Sequence, residues 1–188
     1  VPALTRTEDV FVPLQARMSR ARAAGADVLI SLHADALEED QASGASVYVL
    51  SEEAVGGASE RMVQRHEGGD LIAGLDLSGQ DDTVATALLD LARLDTGPRS
   101  ERLAATLAES LRAAGAVVNG NARRRAPLAV LAAADFPSVL LEAGFLSDEG
   151  ERQRLSTPAG RAPVVAGIVA ALQVWRAQEE ARAPLLRR

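Results

Sequence analysis

The 188-residue chain contains no cysteine, which excludes a disulfide framework and any metal site built on thiolates. It has only two histidines, His33 and His66, so a zinc site of three histidines cannot form from this chain alone. No apolar run approaches the length of a membrane span, and we therefore predict no membrane-spanning helix. The net charge of −6 argues against nucleic acid as a partner.

The apolar residues, 47% of the chain, alternate between helical and strand patterns. Helices are predicted around Phe11–Ala21, ending at Gly25, around Leu103–Leu111, ending at Gly115, and from Val164 to Trp175. Short apolar runs predict strands at 28–32, 46–50, 128–131 and 139–141, of which the first reads as buried. This alternation predicts an α/β fold: a single domain over residues 1–181 with a central, mostly parallel or mixed sheet flanked by helices, and a solvated tail at 182–188.

Residues 52–97 interrupt that alternation, because no strand pattern occurs within them. They contain several glycines, a polar helical stretch with His66 and Glu67, and a second helical stretch with apolar residues from Val84 to Leu94. We expect a helical insertion bounded by glycine hinges. An insertion of this size in a compact domain is typical of a lid or a binding element.

Two polar residues stand where predicted strands end. His33 follows Leu29-Ile30-Ser31-Leu32, and Glu142 follows Val139-Leu140-Leu141. Side chains at the carboxyl ends of strands are where α/β sheets place ligands and catalytic groups. A histidine and a glutamate there suit half of a zinc hydrolase site, one as a ligand and the other as a general base. The alternatives are a histidine that caps its strand by a hydrogen bond and a glutamate that caps a helix or forms a salt bridge.

The blocks around these two residues carry a family resemblance. Residues 25–36, Gly-Ala-Asp-Val-Leu-Ile-Ser-Leu-His-Ala-Asp-Ala, and residues 137–147, Pro-Ser-Val-Leu-Leu-Glu-Ala-Gly-Phe-Leu-Ser, resemble zinc-dependent N-acetylmuramoyl-L-alanine amidases. Within the insertion, residues 70–74, 78–83 and 88–91 are similar to the periplasmic amidases of cell division. The resemblance extends in order from Leu4 to about Trp175.

The resemblance implies hydrolysis of the amide bond between N-acetylmuramic acid and L-alanine in peptidoglycan, for cell-wall remodelling and daughter-cell separation in the periplasm. It implies zinc (Zn²⁺) as the cofactor, His33 as a metal ligand and Glu142 as the catalytic base. The family's other two ligands lie on a Gly-His-Gly strand and the helix after it, and neither motif occurs here. We therefore expect an N-terminally incomplete domain. The alternatives are an inactive peptidoglycan-binding or regulatory remnant and another zinc peptidase of the same fold.

The resemblance also implies a role for the insertion, since a helix of this segment in division-type relatives covers the zinc and donates a glutamate to it. Alignment through Asp70 places His66 at that glutamate's position, with Glu67 beside it. Both are candidate inhibitory metal contacts; the alternative is an ordinary solvated helix face. The apolar stripe of Leu88, Leu91 and Leu94 is either core or a surface that receives an activator protein docking on residues 52–97.

Overall fold

The computed structural model describes residues 1–36, 43–54, 57–58, 61 and 81–182. Helices and strands alternate along them, as the sequence predicted. The helices are α1 (Leu14–Ala23), α2 (Asp82–Ala113), α3 (Glu149–Ser156) and α4 (Pro158–Arg182). The strands are β1 (Leu29–Asp35), β2 (Ala45–Leu50), β3 (Val118–Ala126) and β4 (Ser138–Phe145), with a 3₁₀ turn at Ala129–Leu131. The predicted α/β class is confirmed.

The four strands form one mixed sheet in the order β1-β4-β2-β3. Strand β2 runs antiparallel to β4, with Ser46 opposite Glu142 and Tyr48 opposite Leu140. Backbone bonds from Leu29 N to the Pro137 oxygen and from Leu146 N to the Asp35 oxygen pair β1 with β4 from their starts to their ends. Strands β1 and β4 are therefore parallel, and their carboxyl ends lie at the same edge of the sheet.

The described residues group into two compact units. The first, Val1–Ser31, Leu50–Ser100 and Arg125–Ser138, contains two apolar clusters. Their buried members are Ala85, Leu89 and Ala134 in one, and Met18, Ala21, Ala133 and Phe136 in the other. A buried ion pair, Arg22 with Asp135, lies beside the second cluster, and its Nε–Oδ2 distance is 2.7 Å.

The second unit, Leu32–Val49, Glu101–Arg124 and Val139–Arg188, contains most of the sheet. Its fully buried side chains come from helix and sheet alike, and include Leu103, Leu107, Leu111, Val47, Val139 and Leu141. Helix α4 approaches α2 closely at Gly167, where a Cβ atom would lie 2.8 Å from the Leu111 Cα. Trp175 on α4 is buried.

Two predictions at the N-terminal end are wrong in detail. Phe11 lies outside α1 and is 87% exposed, because Pro13 disfavours helical backbone at the residue before it. Strand β1 is not buried: residues 29–31 are half-buried, and Leu32 is 64% exposed. The reason is topological, since β1 lies at an edge of the described sheet and has a strand on one side only.

The strand predicted at 128–131 is also wrong, since residues 129–131 form a 3₁₀ turn. The strand lies instead at Val118–Ala126, whose sequence Val-Asn-Gly-Asn-Ala-Arg-Arg-Arg-Ala lacks an alternating apolar pattern. Backbone bonds from Ala45 N to the Val117 oxygen and from Ser51 N to the Ala126 oxygen mark the two ends of its pairing with β2. Backbone pairing with β2 therefore determines that this segment is a strand, since its own side chains show no strand pattern.

Helix α2 crosses the expected boundary of the insertion. It runs without interruption for 32 residues and includes Gly97 and Pro98, so no helix end or hinge stands at Gly97. Buried positions at Leu89, Thr96, Leu103 and Leu107 continue on either side of the proline at spacings typical of one helix face. This continuous buried face overrides the local preference of Gly-Pro for a helix end.

Among the described residues, no single helix is long and apolar enough to cross a membrane. Helices α3 and α4 meet the length and composition requirement only as a pair, and they are bent by 83° relative to each other.

Candidate active site

The structure brings His33 and Glu142 together. Each is the fifth residue of its strand, β1 or β4, and these strands are parallel neighbours. The His33 Nδ1 atom lies 3.9 Å from Glu142 Oε1. The strand-end argument from the sequence therefore predicted their proximity, while the roles of ligand and base stay predictions.

Glu142 is a buried carboxyl group with a backbone hydrogen-bond donor. Its side chain is only 8% exposed. The amide of Asp35 donates to Oε2 over 3.1 Å. Burial raises the pKa of Glu142, the nearby Asp35 carboxylate adds to the rise, and the Asp35 amide opposes it. A carboxyl group in this setting takes up a proton more readily than a solvated one, as a general base must.

His33 has a more open environment. Its imidazole is 46% exposed, so solvent and a small ligand can reach it while one ring nitrogen faces Glu142. The pair thus consists of an accessible imidazole beside a buried carboxylate. This arrangement can accept a proton from water, and it presents one nitrogen ligand of the kind that zinc binds.

Ser46 lies next to this site, and the sequence reasoning missed it. It lies directly opposite Glu142 in the β2–β4 register, and residues directly opposite in an antiparallel pair share a face of the sheet. Ser46 is fully buried, and its hydroxyl has no hydrogen-bond partner within the part of the chain that the structure describes. The available signal was a serine at the start of the strand predicted at 46–50, directly before the apolar run Val47-Tyr48-Val49-Leu50, but its neighbour on β4 depends on the register.

A second buried glutamate, Glu151 on α3, stabilises the end of β4. It is 2% exposed and accepts hydrogen bonds from the amides of Gly44 at 2.5 Å and Phe145 at 2.6 Å. Arg154 pairs with the same carboxylate at 3.1 Å. A Cβ atom on Gly144 would lie 2.7 Å from Glu151 Oε2, so glycine permits this approach. Glu151 thus ties the start of β2 to the segment that follows Glu142.

The described residues do not by themselves supply a zinc site. Within residues 1–36, 43–54, 57–58, 61 and 81–182, no group of three histidine, aspartate or glutamate side chains is arranged to hold a metal ion. His33 and Glu142 contribute one imidazole and one carboxylate. Since a catalytic zinc needs three protein ligands, this donor set alone does not fit it.

The candidate inhibitory contacts, His66 and Glu67, lie outside the described residues, and their role stays a prediction. The apolar stripe beyond them divides between core and surface. Leu88 packs against the cluster of Ala85, Leu89 and Ala134. Leu91 is 62% exposed and Leu94 is 73% exposed.

Comparison with known proteins gives matches along nearly the whole chain. The family model described as Amidase_3, N-acetylmuramoyl-L-alanine amidase, matches residues 2–174. The N-acetylmuramoyl-L-alanine amidase AmiC of Escherichia coli O6:H1 is 34% identical over 92% of this chain and 41% of the relative. AmiC of Neisseria meningitidis serogroup B is 36% identical over 90% of this chain and 41% of the relative. The chain thus spans about two fifths of these relatives' length.

Solved structures show the same fold. The amidase Ami1 of Mycobacterium smegmatis superposes with a TM-score of 0.62 at 19% identity, covering 92% of this chain and 65% of that one. The CwlD amidase of Clostridioides difficile, solved in complex with the GerS lipoprotein, gives 0.60 at 17% identity, covering 93% and 75%. Both His33 and Glu142 lie within the residues that the family model matches.

Proposed function

Because this chain belongs to the Amidase_3 family of N-acetylmuramoyl-L-alanine amidases, we propose that the protein hydrolyses the amide bond between N-acetylmuramic acid and L-alanine in peptidoglycan. The observation that supports this most strongly is the pair at the carboxyl ends of β1 and β4. His33 Nδ1 and Glu142 Oε1 lie 3.9 Å apart, in the two blocks that resemble the family's catalytic blocks.

Glu142 is the general base in this proposal. Its carboxylate takes a proton from a water molecule whose oxygen bonds to the carbonyl carbon of the scissile amide. The carbon–nitrogen bond then breaks, and the same carboxyl group delivers the proton to the departing amine of L-alanine. The products are a lactyl carboxylate on the sugar and a peptide with a free amino terminus. A buried side chain held by the Asp35 amide suits both transfers, because its position changes little between them.

Zinc belongs to the same proposal as the family's cofactor, with His33 as one ligand. The family's other two ligands lie on the Gly-His-Gly strand and the helix after it, and these motifs do not occur in this sequence. What supports the role of His33 is the chemistry of an accessible imidazole in the family's histidine block. We also propose that the protein acts in the periplasm in cell-wall remodelling and daughter-cell separation. We further propose that an activator protein docks on residues 52–97. The CwlD amidase is an example of this fold in complex with another protein.

Product analysis tests the reaction. The full-length protein, meaning the natural gene product that contains these 188 residues, is incubated with purified muropeptides, and the products are separated and weighed by mass spectrometry. We expect each cleavage to add one water and to yield an intact stem peptide that begins with free L-alanine. We expect Glu142→Gln to lower turnover by about 10²–10⁴-fold, the usual contribution of a positioned general base.

The matched control is Glu109→Gln, a substitution at an exposed position of α2, which we expect to retain parental turnover. A product shortened at the carboxyl end of the stem peptide would identify a carboxypeptidase and contradict the proposed bond. If the muropeptides stayed intact after incubation with the full-length protein and added zinc, the result would contradict the proposal that the protein hydrolyses peptidoglycan.

A further inference from the structure

Three neighbouring strands place three polar side chains in one row. His33 lies on β1, Glu142 on the central strand β4, and Ser46 on β2, directly opposite Glu142. In an antiparallel pair, Cβ atoms of directly opposed residues are about 4.5–5.5 Å apart. The Glu142 side chain therefore has a donor on the β1 side, the Asp35 amide, and a hydroxyl of unused hydrogen-bonding capacity on the β2 side.

The hydroxyl of Ser46 is unusual for a buried group. Ser46 is 0% exposed, and within the described residues its Oγ has no hydrogen-bond partner. Buried polar groups are nearly always paired, and an exception in a native structure calls for an explanation. By contrast, Ser138, a buried serine on β4, donates to the Phe136 carbonyl at 3.3 Å. Unlike the Ser138 hydroxyl, the Ser46 hydroxyl donates to no backbone carbonyl among the described residues.

We propose that Ser46 is a positioning residue, whose hydroxyl donates a hydrogen bond to the Glu142 carboxylate during the reaction and holds it from β2 while the Asp35 amide holds it from β1. Rotation about the Cα–Cβ bond moves Oγ among three staggered positions, which lets it reach the opposing side chain without backbone movement. Hydrogen bonds in active sites are often long or misaligned in the free protein and tighten when substrate binds.

The consequence of this contact is geometric. The Asp35 amide holds Oε2, while Oε1 faces His33. One donor leaves a carboxylate free to turn about its terminal bond, whereas a donor from each neighbouring strand fixes the plane of the group. Fixing that plane keeps the proton-accepting oxygen aimed at the site of water attack, and misalignment of a reacting group slows turnover more than it weakens substrate binding.

The test rests on the proposed function and uses muropeptide hydrolysis by the full-length protein. We expect Ser46→Ala to lower kcat by about 10–100-fold, the usual effect of removing a supporting contact, with KM unchanged. Ser46→Thr keeps the hydroxyl and should recover most of the lost kcat. In a Glu142→Gln background, Ser46→Ala should cause no further loss, because the two residues act as a unit. The control, Ser138→Ala, removes a buried hydroxyl of the same sheet and should keep the parental kcat.

A parental kcat in Ser46→Ala would overturn the inference. So would an equal fold-loss of kcat when Ser46→Ala is made in the parent and in the Glu142→Gln background. A crystal structure of the full-length protein decides the contact independently of turnover. An Oγ–Oε separation of at most about 3.2 Å supports it, and a Ser46 hydroxyl bonded only to water or to a backbone carbonyl overturns it. If the parental protein cleaves no muropeptide, the proposed function fails, and the crystal structure alone decides the role of Ser46.

Discussion

Glu142 combines two properties that oppose each other in a protein interior. It is a carboxyl group with an 8% exposed side chain, and a base needs its charged form. Burial disfavours that charge, whereas the donor at Asp35 favours it. Stability and reactivity therefore make different demands on this side chain, a conflict often found at active sites.

This conflict has a measurable pH dependence. Burial raises the pKa of Glu142, so the folded protein binds this proton more tightly than the unfolded chain. The resulting stabilisation is present below the pKa that Glu142 has in the unfolded chain. It is lost as the pH rises through the pKa that Glu142 has in the folded protein. Glutamine does not titrate. We therefore expect the Tm of the parent, relative to that of Glu142→Gln, to fall as the pH rises above the ordinary glutamate pKa of about 4.3, measured in chelator. Thermal unfolding at a series of pH values measures it.

The exposed-site variant Glu109→Gln provides the baseline, because it changes the formal charge by the same amount at an exposed position of α2. If the Tm difference between parent and Glu142→Gln equalled that between parent and Glu109→Gln at every pH, the result would contradict a raised pKa of Glu142 in the folded protein.

Helix α1 makes a long-range ion pair through Arg22. Arg22, near its C-terminal end, makes two hydrogen bonds to Asp135 and lies over the Phe136 ring at 5.8 Å from its centroid. The side chains of Arg22 and Asp135 are only 3% and 4% exposed. Removing one partner of a buried pair leaves the other charge without compensation.

We expect Asp135→Ala to lower the free energy of unfolding by about 3–5 kcal/mol, as is typical when a buried ion pair loses one member. Urea denaturation followed by circular dichroism measures the change. The control is Asp95→Ala, which breaks an i,i+4 pair with Arg99 on α2, whose aspartate is 57% exposed. Such exposed pairs contribute at most about 1 kcal/mol. Equal effects of the two substitutions would contradict a special contribution from the buried pair.

The predicted lid is tested at its two candidate metal contacts. If His66 and Glu67 cover the metal, replacing both with alanine removes the competing ligands and raises basal muropeptide hydrolysis without activator. Deleting residues 59–69 should raise it further and abolish the response to activator. Initial rates with and without activator measure this. Unchanged or lower rates in folded variants would show that the segment is structural or only a docking surface.

The sequence predicted those elements whose signal is local. Gly115 ends α2 with a φ of +80°, and Trp175 is buried on α4, since a glycine after a helix and a helical apolar stripe are visible in the sequence itself. Strand β3 was missed because its pairing with β2 decides its conformation. The strand predicted at 128–131 failed for the converse reason, because this apolar run pairs with none of the described strands and residues 129–131 form a turn.

The candidate site divides in the same way. His33 and Glu142 were predictable because carboxyl ends of parallel strands meet at one edge of a sheet. Ser46 was not, since its place beside Glu142 depends on the register between two strands that are far apart in sequence, which only tertiary structure reveals. In the sequence, Glu151 is one of several charged residues in a helical turn. The amides of Gly44 and Phe145, which donate hydrogen bonds to its buried carboxylate, are visible only in the structure.

At the scale of the whole molecule, the central question is metal binding. We expect the full-length protein to retain zinc after dialysis, and we expect His33→Ala to lose most of it because an imidazole ligand is missing. Glu142→Gln should keep its zinc, since a base that is not a ligand can be replaced without releasing the ion. Metal content by mass spectrometry and the loss of turnover in chelator measure these effects.

Ser138→Ala serves as the folded control for this experiment, because its site is buried in the same sheet and its side chain is no metal ligand. Loss of zinc from Glu142→Gln would show that Glu142 is a ligand and would contradict its role as base. Full zinc retention in His33→Ala would contradict the ligand role of His33.

The strand order β1-β4-β2-β3 also constrains how this protein is made. Of the four described strands, β4 is the last in sequence, yet it lies between β1 and β2. A nascent chain that ends before Ser138 therefore presents open edges where β4 belongs, and open edges are templates for pairing with other chains. Since Glu142 is on this same strand, insertion of the central strand both joins β1 to β2 and brings the candidate base to His33. Pairing of the four described strands and assembly of the His33–Glu142 pair therefore depend on the same event.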